Sequence, residues 1–88
     1  MGFPDRSIIR EPEFEEQLVA LLVNLEEADE FTLGAEMVLA AEPESGIRIG
    51  SGSVWYLPMA PVRGRRVSLF YSFDARSVYF LSIVAFDY

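Results

Sequence analysis

The amino-acid sequence predicts an α+β domain in which a hairpin of two N-terminal helices packs on one face of a small antiparallel sheet of three to four strands. Three observations predict this fold. The first half of the chain carries two helical patterns of apolar residues, the second half carries alternating, aromatic-rich runs, and the connections between those runs have hairpin length. The expected element order is β-α-α-β-β-β. A chain of 88 residues is expected to form a single domain over residues 1–88.

The first elements are a short strand at residues 7–10 and a helix that begins at Glu11 and Pro12. Proline favours the first helical turn, and carboxylates favour the positive end of the helix dipole. Apolar residues then recur at helical spacing up to about Glu27. They are Phe14, Leu18, Leu21, Leu22 and Leu25. The carboxylates at residues 26–30 oppose the dipole at the C-terminal end, so the helix is expected to stop there.

The second helix is expected to begin at Thr32, which is a suitable N-cap, and to end at Pro43. Its inner face would carry Leu33, Met37 and either Ala40 or Ala41. The two helices would form an antiparallel hairpin.

Strands dominate the second half of the chain. A glycine-punctuated loop or short strand at residues 47–49 is followed by a strand at residues 54–57, which Pro58 is expected to end. Residues 65–73 alternate between two faces, and residues 74–77 form a turn. Residues 78–86 are apolar on both faces, which is typical of a central strand.

Two helices can cover only one face of the sheet, so the other face is left without a covering layer. Phe70 and the face of the last strand that carries Phe80 would then be exposed, and exposed apolar surfaces generally mark sites of interaction. Phe70 and Phe80 are therefore candidate partner-binding residues, for a partner protein or for a second copy in a homodimer. The alternative is that the chain ends and the long loop cover this face.

The composition excludes several kinds of chemistry. The chain has no cysteine, histidine or lysine, which removes disulfides, imidazole and thiolate metal ligands, Ser-His-Asp catalysis and the phosphate-loop lysine. No metal site and no cofactor are expected. Because no apolar run is long enough for a signal peptide or a membrane span, a cytoplasmic protein without a membrane partner is expected.

The charged residues are distributed unevenly between the two halves of the chain. Residues 1–44 carry twelve carboxylates and two arginines, a balance of −10, whereas residues 45–88 carry five arginines and two carboxylates, a balance of +3. The basic half can present a local positive surface to nucleic acid, for which the candidates are Arg48, Arg63, Arg65 and Arg66. The alternatives are solvated charges or ion pairs with the acidic first helix. Tyr71 and Tyr88 are candidate proton carriers, although the alternation of the strand also suits Tyr71 to the core.

Several segments resemble the RelE/ParE superfamily of bacterial type II toxins. They are the strand-into-helix segment Ile8-Ile9-Arg10-Glu11-Pro12-Glu13-Phe14, the turn Pro43-Glu44-Ser45-Gly46, Trp55, the run from Arg63 to Tyr71 (R-G-R-R-V-S-L-F-Y) and the apolar final strand Val78–Val84. The element order and the chain length also agree with that superfamily. The resemblance covers nearly the whole chain.

The resemblance implies a toxin that a small antitoxin neutralises, with inhibition of translation by ribosome-dependent mRNA cleavage as the first expectation. RelE-like members cleave mRNA as metal-independent endoribonucleases and use arginine and tyrosine in place of histidine. Arg63 matches the sheet arginine that contacts the scissile phosphate, and Arg65 or Arg66 would bind the backbone. The usual lysines are missing and Asp87 lies near an expected basic position. A ParE-like toxin directed at DNA gyrase, or a catalytically degenerate protein-interaction domain, is therefore the alternative.

Overall fold

The computed structural model describes residues 5–22 and 25–86, and its fold is α+β with two helices, as predicted. The secondary-structure elements, in chain order, are β1 (Ser7–Arg10), α1 (Pro12–Leu21), α2 (Leu25–Ala41), a 3₁₀ turn (Pro43–Ser45), β2 (Ile47–Arg48), β3 (Trp55–Val62), β4 (Arg65–Phe73) and β5 (Ser77–Phe86).

Within the described residues the sheet has five strands in the order β1-β5-β4-β3-β2, rather than the three to four antiparallel strands predicted. The pairs β2–β3, β3–β4 and β4–β5 are antiparallel, whereas β1 is parallel to β5, with Ser7 beside Ser77 and Arg10 beside Phe80. The two helices carry the chain from β1 at one edge of the sheet to β2 at the other edge, and the chain returns through β3 and β4 to place β5 beside β1. The sheet is therefore mixed.

The break between the helices comes earlier than predicted. The first helix ends at Leu21 instead of near Glu27, and the second begins at Leu25 instead of near Thr32. Glu26 and Glu27 consequently lie in the first turn of α2, where they stabilise the positive end of its dipole instead of opposing the end of α1.

The third strand also differs from the prediction, because β3 continues through Pro58 and Pro61 to Val62. In the described part of the chain β2 pairs only with Trp55 and Tyr56, so the outer edge of β3 has no neighbouring strand at the prolines. A missing N–H costs nothing on such an edge.

Both helices pack on one face of the sheet and form a single hydrophobic core with it. Its buried side chains are Phe14, Leu18, Leu22, Ala28, Ala35 and Leu39 from the helical half and Val62, Val67, Leu69, Tyr71, Val78, Phe80 and Ile83 from the sheet. Phe14 meets Phe80 edge to face, with ring centroids 5.3 Å apart. This edge-to-face geometry is one that aromatic pairs prefer.

The inner face of α2 agrees with the predicted one only at Ala40, which is buried. Thr32, expected at the N-cap, is buried inside the helix, whereas Leu33 and Met37 are 54% and 66% exposed. Burial of Thr32 is possible because its hydroxyl donates to the Ala28 carbonyl at 3.1 Å and accepts a hydrogen bond from Arg10 at 2.9 Å.

A β-bulge at Leu81 reverses the alternation of β5, so that even-numbered residues face the core before the bulge and odd-numbered residues face it afterwards. Phe70 pairs with Ser82, but its neighbour Tyr71 pairs with Phe80, so Leu81 is the extra residue. Val78 and Phe80 therefore face the core, while Ser82, Val84 and Phe86 face the other side. This corrects the expectation that Phe80 lies on the uncovered face.

Candidate functional site

The segment Arg63-Gly64-Arg65-Arg66, called here the arginine hairpin, joins β3 to β4. Arg63 and Gly64 form a two-residue turn with φ of 50° and 77°, closed by the pairing of Val62 with Arg65. Two consecutive left-handed residues are typical of a type I′ turn, whose twist matches that of the flanking strands. Glycine accommodates this conformation without cost, whereas arginine does not.

The guanidinium of Arg63 is engaged by the helical half of the molecule. Its Nη1 donates to the Leu21 carbonyl at 3.1 Å, and its Nη2 lies 3.6 Å from a carboxylate oxygen of Glu27. The two charged side chains remain about half exposed, at 52% and 41%. Arg63 thus ties the tip of the hairpin to the break between α1 and α2, and Glu27 offsets part of the charge that a phosphate would meet.

Of the other candidate arginines, Arg65 lies on the same side of the sheet as Arg63, because it lines a pocket with Leu21, whose carbonyl Arg63 binds. Arg66 lies on the other face of the sheet, and Arg48 lies at the other end of β3. Arg65 and Arg66 are exposed and lie on opposite faces of β4: Arg65 reaches towards the Ala85 carbonyl at 3.5 Å, and Arg66 lies opposite Phe86. Arg48 lies beside the first residue of β3, at the end away from the hairpin. Its guanidinium donates to the carbonyls of Gly52 at 2.8 Å and Ser51 at 3.0 Å, which closes its own loop.

Tyr71, a predicted proton carrier, is fully buried. Its hydroxyl donates to the Pro43 carbonyl at 2.6 Å and accepts from the Gly46 N–H at 3.1 Å. Burial raises the pKa of the phenol, and the hydrogen bond from Gly46 only partly offsets that rise. The geometry gives Tyr71 a structural role, with no hydroxyl presented at a surface. Tyr88 lies outside the described residues.

The second candidate is the sheet face opposite the helices, called here the open sheet face. Its aromatic centre is formed by Tyr56 and Phe70, which pair across β3 and β4 with ring centroids 6.0 Å apart. At its margins Ile9, Ile47 and Phe86 are 40%, 49% and 46% exposed. None of the five strands contains an aspartate or a glutamate, although the chain as a whole has a net charge of −7.

Each side of the sheet is protected where its edge strand ends and the next strand is left without a neighbour. Beyond Phe80, where β1 ends, the Ile83 N–H points to the free edge of β5 and donates to Gln17 Oε1 of α1 at 2.8 Å. The opposite edge carries Pro58 and Pro61. Side chains that occupy edge donors, and prolines that remove them, prevent strand addition. Strand addition is therefore disfavoured at these parts of β5 and β3, which leaves the open sheet face as the larger sheet surface for binding.

Sequence reasoning missed two features. One is Gln17, whose role depends on where β1 ends and has no local signal. The other is the outer side of α2, where Leu33, Met37 and Val38 are exposed. A signal for the latter was present, because residues 33–41 are apolar on every side of the helix except at Glu36.

Other kinds of site find no support in residues 5–22 and 25–86. No group of three or more acidic, histidine or cysteine side chains in those ranges is placed to hold a metal ion. None of the helices there is both long and apolar enough to cross a membrane. No protein-family model matches the chain, and no curated protein matches it at a significant level.

Proposed function

We propose that the protein is a catalytically inactive, RelE/ParE-like protein-interaction domain that binds a second copy of itself through the open sheet face. The observation that carries the proposal is the contrast between this face, whose strands have no carboxylate, and the strongly acidic remainder of the chain. The resemblance to the RelE/ParE superfamily rests on the sequence segments given above and on the α+β architecture.

Charge favours a second copy on this surface. Two copies that each carry −7 repel one another wherever their acidic helices meet. The strands of the open sheet face present apolar and hydroxyl side chains with Arg66 at one end, and Asp74 lies just beyond the other end of β4, hydrogen-bonded to the Tyr79 hydroxyl. Two such faces therefore approach with fewer like charges than two helical surfaces do. The aromatic centre of the face, Tyr56 beside Phe70, is the kind of residue that carries binding energy in protein interfaces.

The size of the face is suitable as well. The five strands have 4, 2, 8, 9 and 10 residues. At about 3.3 Å per residue and about 4.8 Å between strands, the sheet covers roughly 520 Å² in projection. The side chains project from this plane and add to its area, and a standard interface buries about 800 Å² on each partner. One such sheet packed on another therefore supplies most of the area of a standard interface.

Inactivity is proposed because the two candidate catalytic groups within residues 5–22 and 25–86 are already engaged. Arg63 is bound to Glu27 and to the Leu21 carbonyl, and the Tyr71 hydroxyl is buried between Pro43 and Gly46. A phosphate contact at Arg63 would have to compete with the carboxylate of Glu27.

The test is the solution mass of the purified chain, measured by sedimentation equilibrium, for the wild type and two face variants. Phe70→Glu places a charge at the aromatic centre, and Ser68→Asp places one on the same face without removing an apolar side chain. Both are expected to weaken dimerisation at least tenfold. The control is Val19→Glu on the exposed side of α1, which is expected to leave the dimer intact.

Thermal melts followed by circular dichroism show whether each variant is folded. A wild-type chain that is monomeric at high micromolar concentration overturns the proposal. So does a dimer that survives in folded Ser68→Asp and Phe70→Glu.

The competing proposal is a toxin that cleaves mRNA on the ribosome and is neutralised by a small antitoxin. The observation in its favour is that Arg63, Arg65 and Arg66 are all exposed within four residues. It predicts that expression of the chain arrests growth and that Arg63→Ala relieves the arrest, with cleaved mRNA on ribosomes from the arrested cells. Growth arrest without mRNA cleavage would instead favour the gyrase-directed alternative. Harmless expression of the wild type favours the interaction domain.

A further inference from the structure

The outer side of α2 carries an apolar surface that is distinct from the open sheet face. It is formed by residues three or four apart on the helix and is called here the outer stripe: Leu33, Gly34, Met37, Val38 and Ala41. Leu33, Met37 and Val38 are 54%, 66% and 46% exposed. A Cβ placed on Gly34 would meet nothing within 4 Å, so the surface is open at its centre.

This arrangement is unusual for a surface helix, which ordinarily turns charged and polar side chains outwards. The inward side of α2 is already used by Ala28, Thr32, Ala35 and Leu39. Between residues 33 and 41 the single charged residue is Glu36, and its carboxylate accepts a hydrogen bond from Arg10 Nε at 2.9 Å. The outer stripe extends over nine residues, or about 13 Å of helix at about 1.5 Å per residue.

Carboxylates bracket the outer stripe at both ends. Glu26, Asp29 and Glu30 precede it on the exposed side of α2, and Glu42 and Glu44 follow it. The helix contains no arginine or lysine. Within the described ranges no salt bridge engages Glu26, Glu30 or Glu44. An apolar centre with acidic ends is therefore what this surface presents.

We propose that the outer stripe binds an amphipathic helix of a partner protein, with about two turns of apolar residues in its centre and arginine or lysine at both ends. Charge complementarity selects this occupant: basic ends meet the two groups of carboxylates, whereas a second copy of α2 would bring like charges together. Gly34 has no side chain, so a crossing helix approaches the backbone of α2 closely at the middle of the stripe.

The outer stripe and the open sheet face lie on opposite sides of the molecule, because α2 packs on the face of the sheet that contains the core. The inference therefore does not depend on the proposed dimer. Monomeric Ser68→Asp protein is expected to bind the helix as the wild type does.

The probe is a fluorescein-labelled 18-residue peptide with a leucine and alanine stripe over its middle two turns and two arginines at each end. Its affinity for the full chain is measured by fluorescence anisotropy. The comparison peptide has glutamate at the four arginine positions. The arginine peptide is expected to bind at least tenfold more tightly, with an affinity that falls as salt is added.

Two variants separate the apolar and the charged contributions. Met37→Gln with Val38→Gln removes apolar side chains from the stripe without changing its charge, and it is expected to weaken binding at least tenfold. Glu26→Gln with Glu30→Gln is expected to weaken binding and to reduce its dependence on salt. The matched control is Val19→Gln, which removes an apolar side chain of 59% exposure from α1 and is expected to bind normally.

Three results would overturn the inference. The first is equal binding of the arginine and glutamate peptides. The second is normal binding by folded Met37→Gln, Val38→Gln protein, since attachment to the acidic surface would then be nonspecific. The third is a dimer that persists in Ser68→Asp but is lost in the Met37→Gln, Val38→Gln protein, because the stripe would then be covered by a second copy.

Discussion

The hydroxyl of Tyr71 occupies the space that a side chain on residue 46 would need. A Cβ built on Gly46 would overlap that hydroxyl oxygen and would lie 2.6 Å from the Tyr56 carbonyl oxygen. The same hydroxyl accepts a hydrogen bond from the Gly46 N–H and donates one to the Pro43 carbonyl. One buried phenol thereby ties the centre of β4 to the segment that leads from α2 into β2.

Gly46→Ala is therefore expected to lower the free energy of unfolding by about 2 kcal/mol, which is within the range for an overpacked site. Tyr71→Phe is expected to cost about 1–2 kcal/mol, since it leaves a buried N–H and a buried carbonyl without their partner. Urea denaturation measures both. Gly52→Ala is the control, because its Cβ would approach nothing closer than 3.8 Å.

The double variant Gly46→Ala, Tyr71→Phe sharpens this test. Removing the hydroxyl removes one of the two close approaches, so the combined loss of stability is expected to be smaller than the sum of the single losses. Simple additivity would show that the two residues do not constrain each other.

A second contact holds β1 to both helices. The guanidinium of Arg10 bonds through Nε to Glu36 at 2.9 Å and through Nη2 to Thr32 at 2.9 Å, and its Nη1 lies 3.4 Å from Glu15. The side chains of Arg10 and Glu36 are each 24% exposed. Arg10→Ala would leave Glu36 poorly hydrated and unpaired, and a loss of about 2 kcal/mol is expected. Removal of the exposed arginine in Arg76→Ala is expected to cost less than about 0.5 kcal/mol.

Urea denaturation of both arginine variants checks this expectation. Arg10→Ala combined with Glu36→Leu is expected to recover part of the loss, because the uncompensated carboxylate is then removed as well. Equal effects of Arg10→Ala and Arg76→Ala would mean that the half-buried network contributes no more than a surface charge.

Local patterns were sufficient for the number of helices and for the faces of β4, where Leu69 and Tyr71 point inwards and Phe70 outwards as the alternation indicates. They could not show the bulge at Leu81, because both faces of β5 are apolar and a one-residue shift leaves no trace in such a pattern. Phe80 was assigned to the wrong face for that reason. The parallel pairing of β1 with β5 is a property of the tertiary structure, and no run of neighbouring residues encodes it.

The boundary between the two helices was predicted wrongly for a different reason. Glu26 and Glu27 suit the beginning of a helix as well as they disfavour the end of one, so the same residues fit two positions of the break. Thr32 is a good N-cap in isolation, yet Arg10 satisfies its hydroxyl inside the molecule. The ion pair of Arg63 with Glu27 is of the kind expected as the alternative to phosphate binding, but its partner lies in the second helix because of that early helix break.

The turn between β4 and β5 predicts a dependence of stability on pH. The Asp74 carboxylate accepts hydrogen bonds from the N–H groups of Arg76 and Ser77, each at 2.8 Å, and from the Tyr79 hydroxyl at 2.9 Å. These bonds lower the pKa of Asp74 below its ordinary value of 3.8. The folded state binds the proton less readily than the unfolded chain does. The ionised carboxylate therefore stabilises the folded state at pH values above 3.8. Its contribution is lost as the pH falls from 3.8 through the lower pKa of the folded state.

The measurement is the free energy of unfolding of the wild type and of Asp74→Asn from pH 2 to pH 7. The wild type is expected to be the more stable protein at pH 7, and the difference is expected to shrink towards the acid end. Tyr79→Phe, which removes one of the three bonds, is expected to bring the pKa of Asp74 closer to 3.8 in a carbon-detected titration. A difference between wild type and Asp74→Asn that does not change with pH would contradict this account.

Arg63 is held in a backbone conformation that suits glycine, with φ at 50°, so its side chain and its backbone have opposite effects on stability. Arg63→Ala and Arg63→Gly both lose the contacts with Glu27 and the Leu21 carbonyl, but alanine also retains the left-handed strain of about 1 kcal/mol. Arg63→Gly is therefore expected to be the more stable of the two by about 1 kcal/mol in urea denaturation. The same substitutions at Arg65, which lies in the strand, are expected to show the reverse order, because glycine weakens a strand. If Ala and Gly at position 63 prove equally stable, the turn relaxes without its arginine and the strained conformation is imposed by the Glu27 contact rather than by the hairpin.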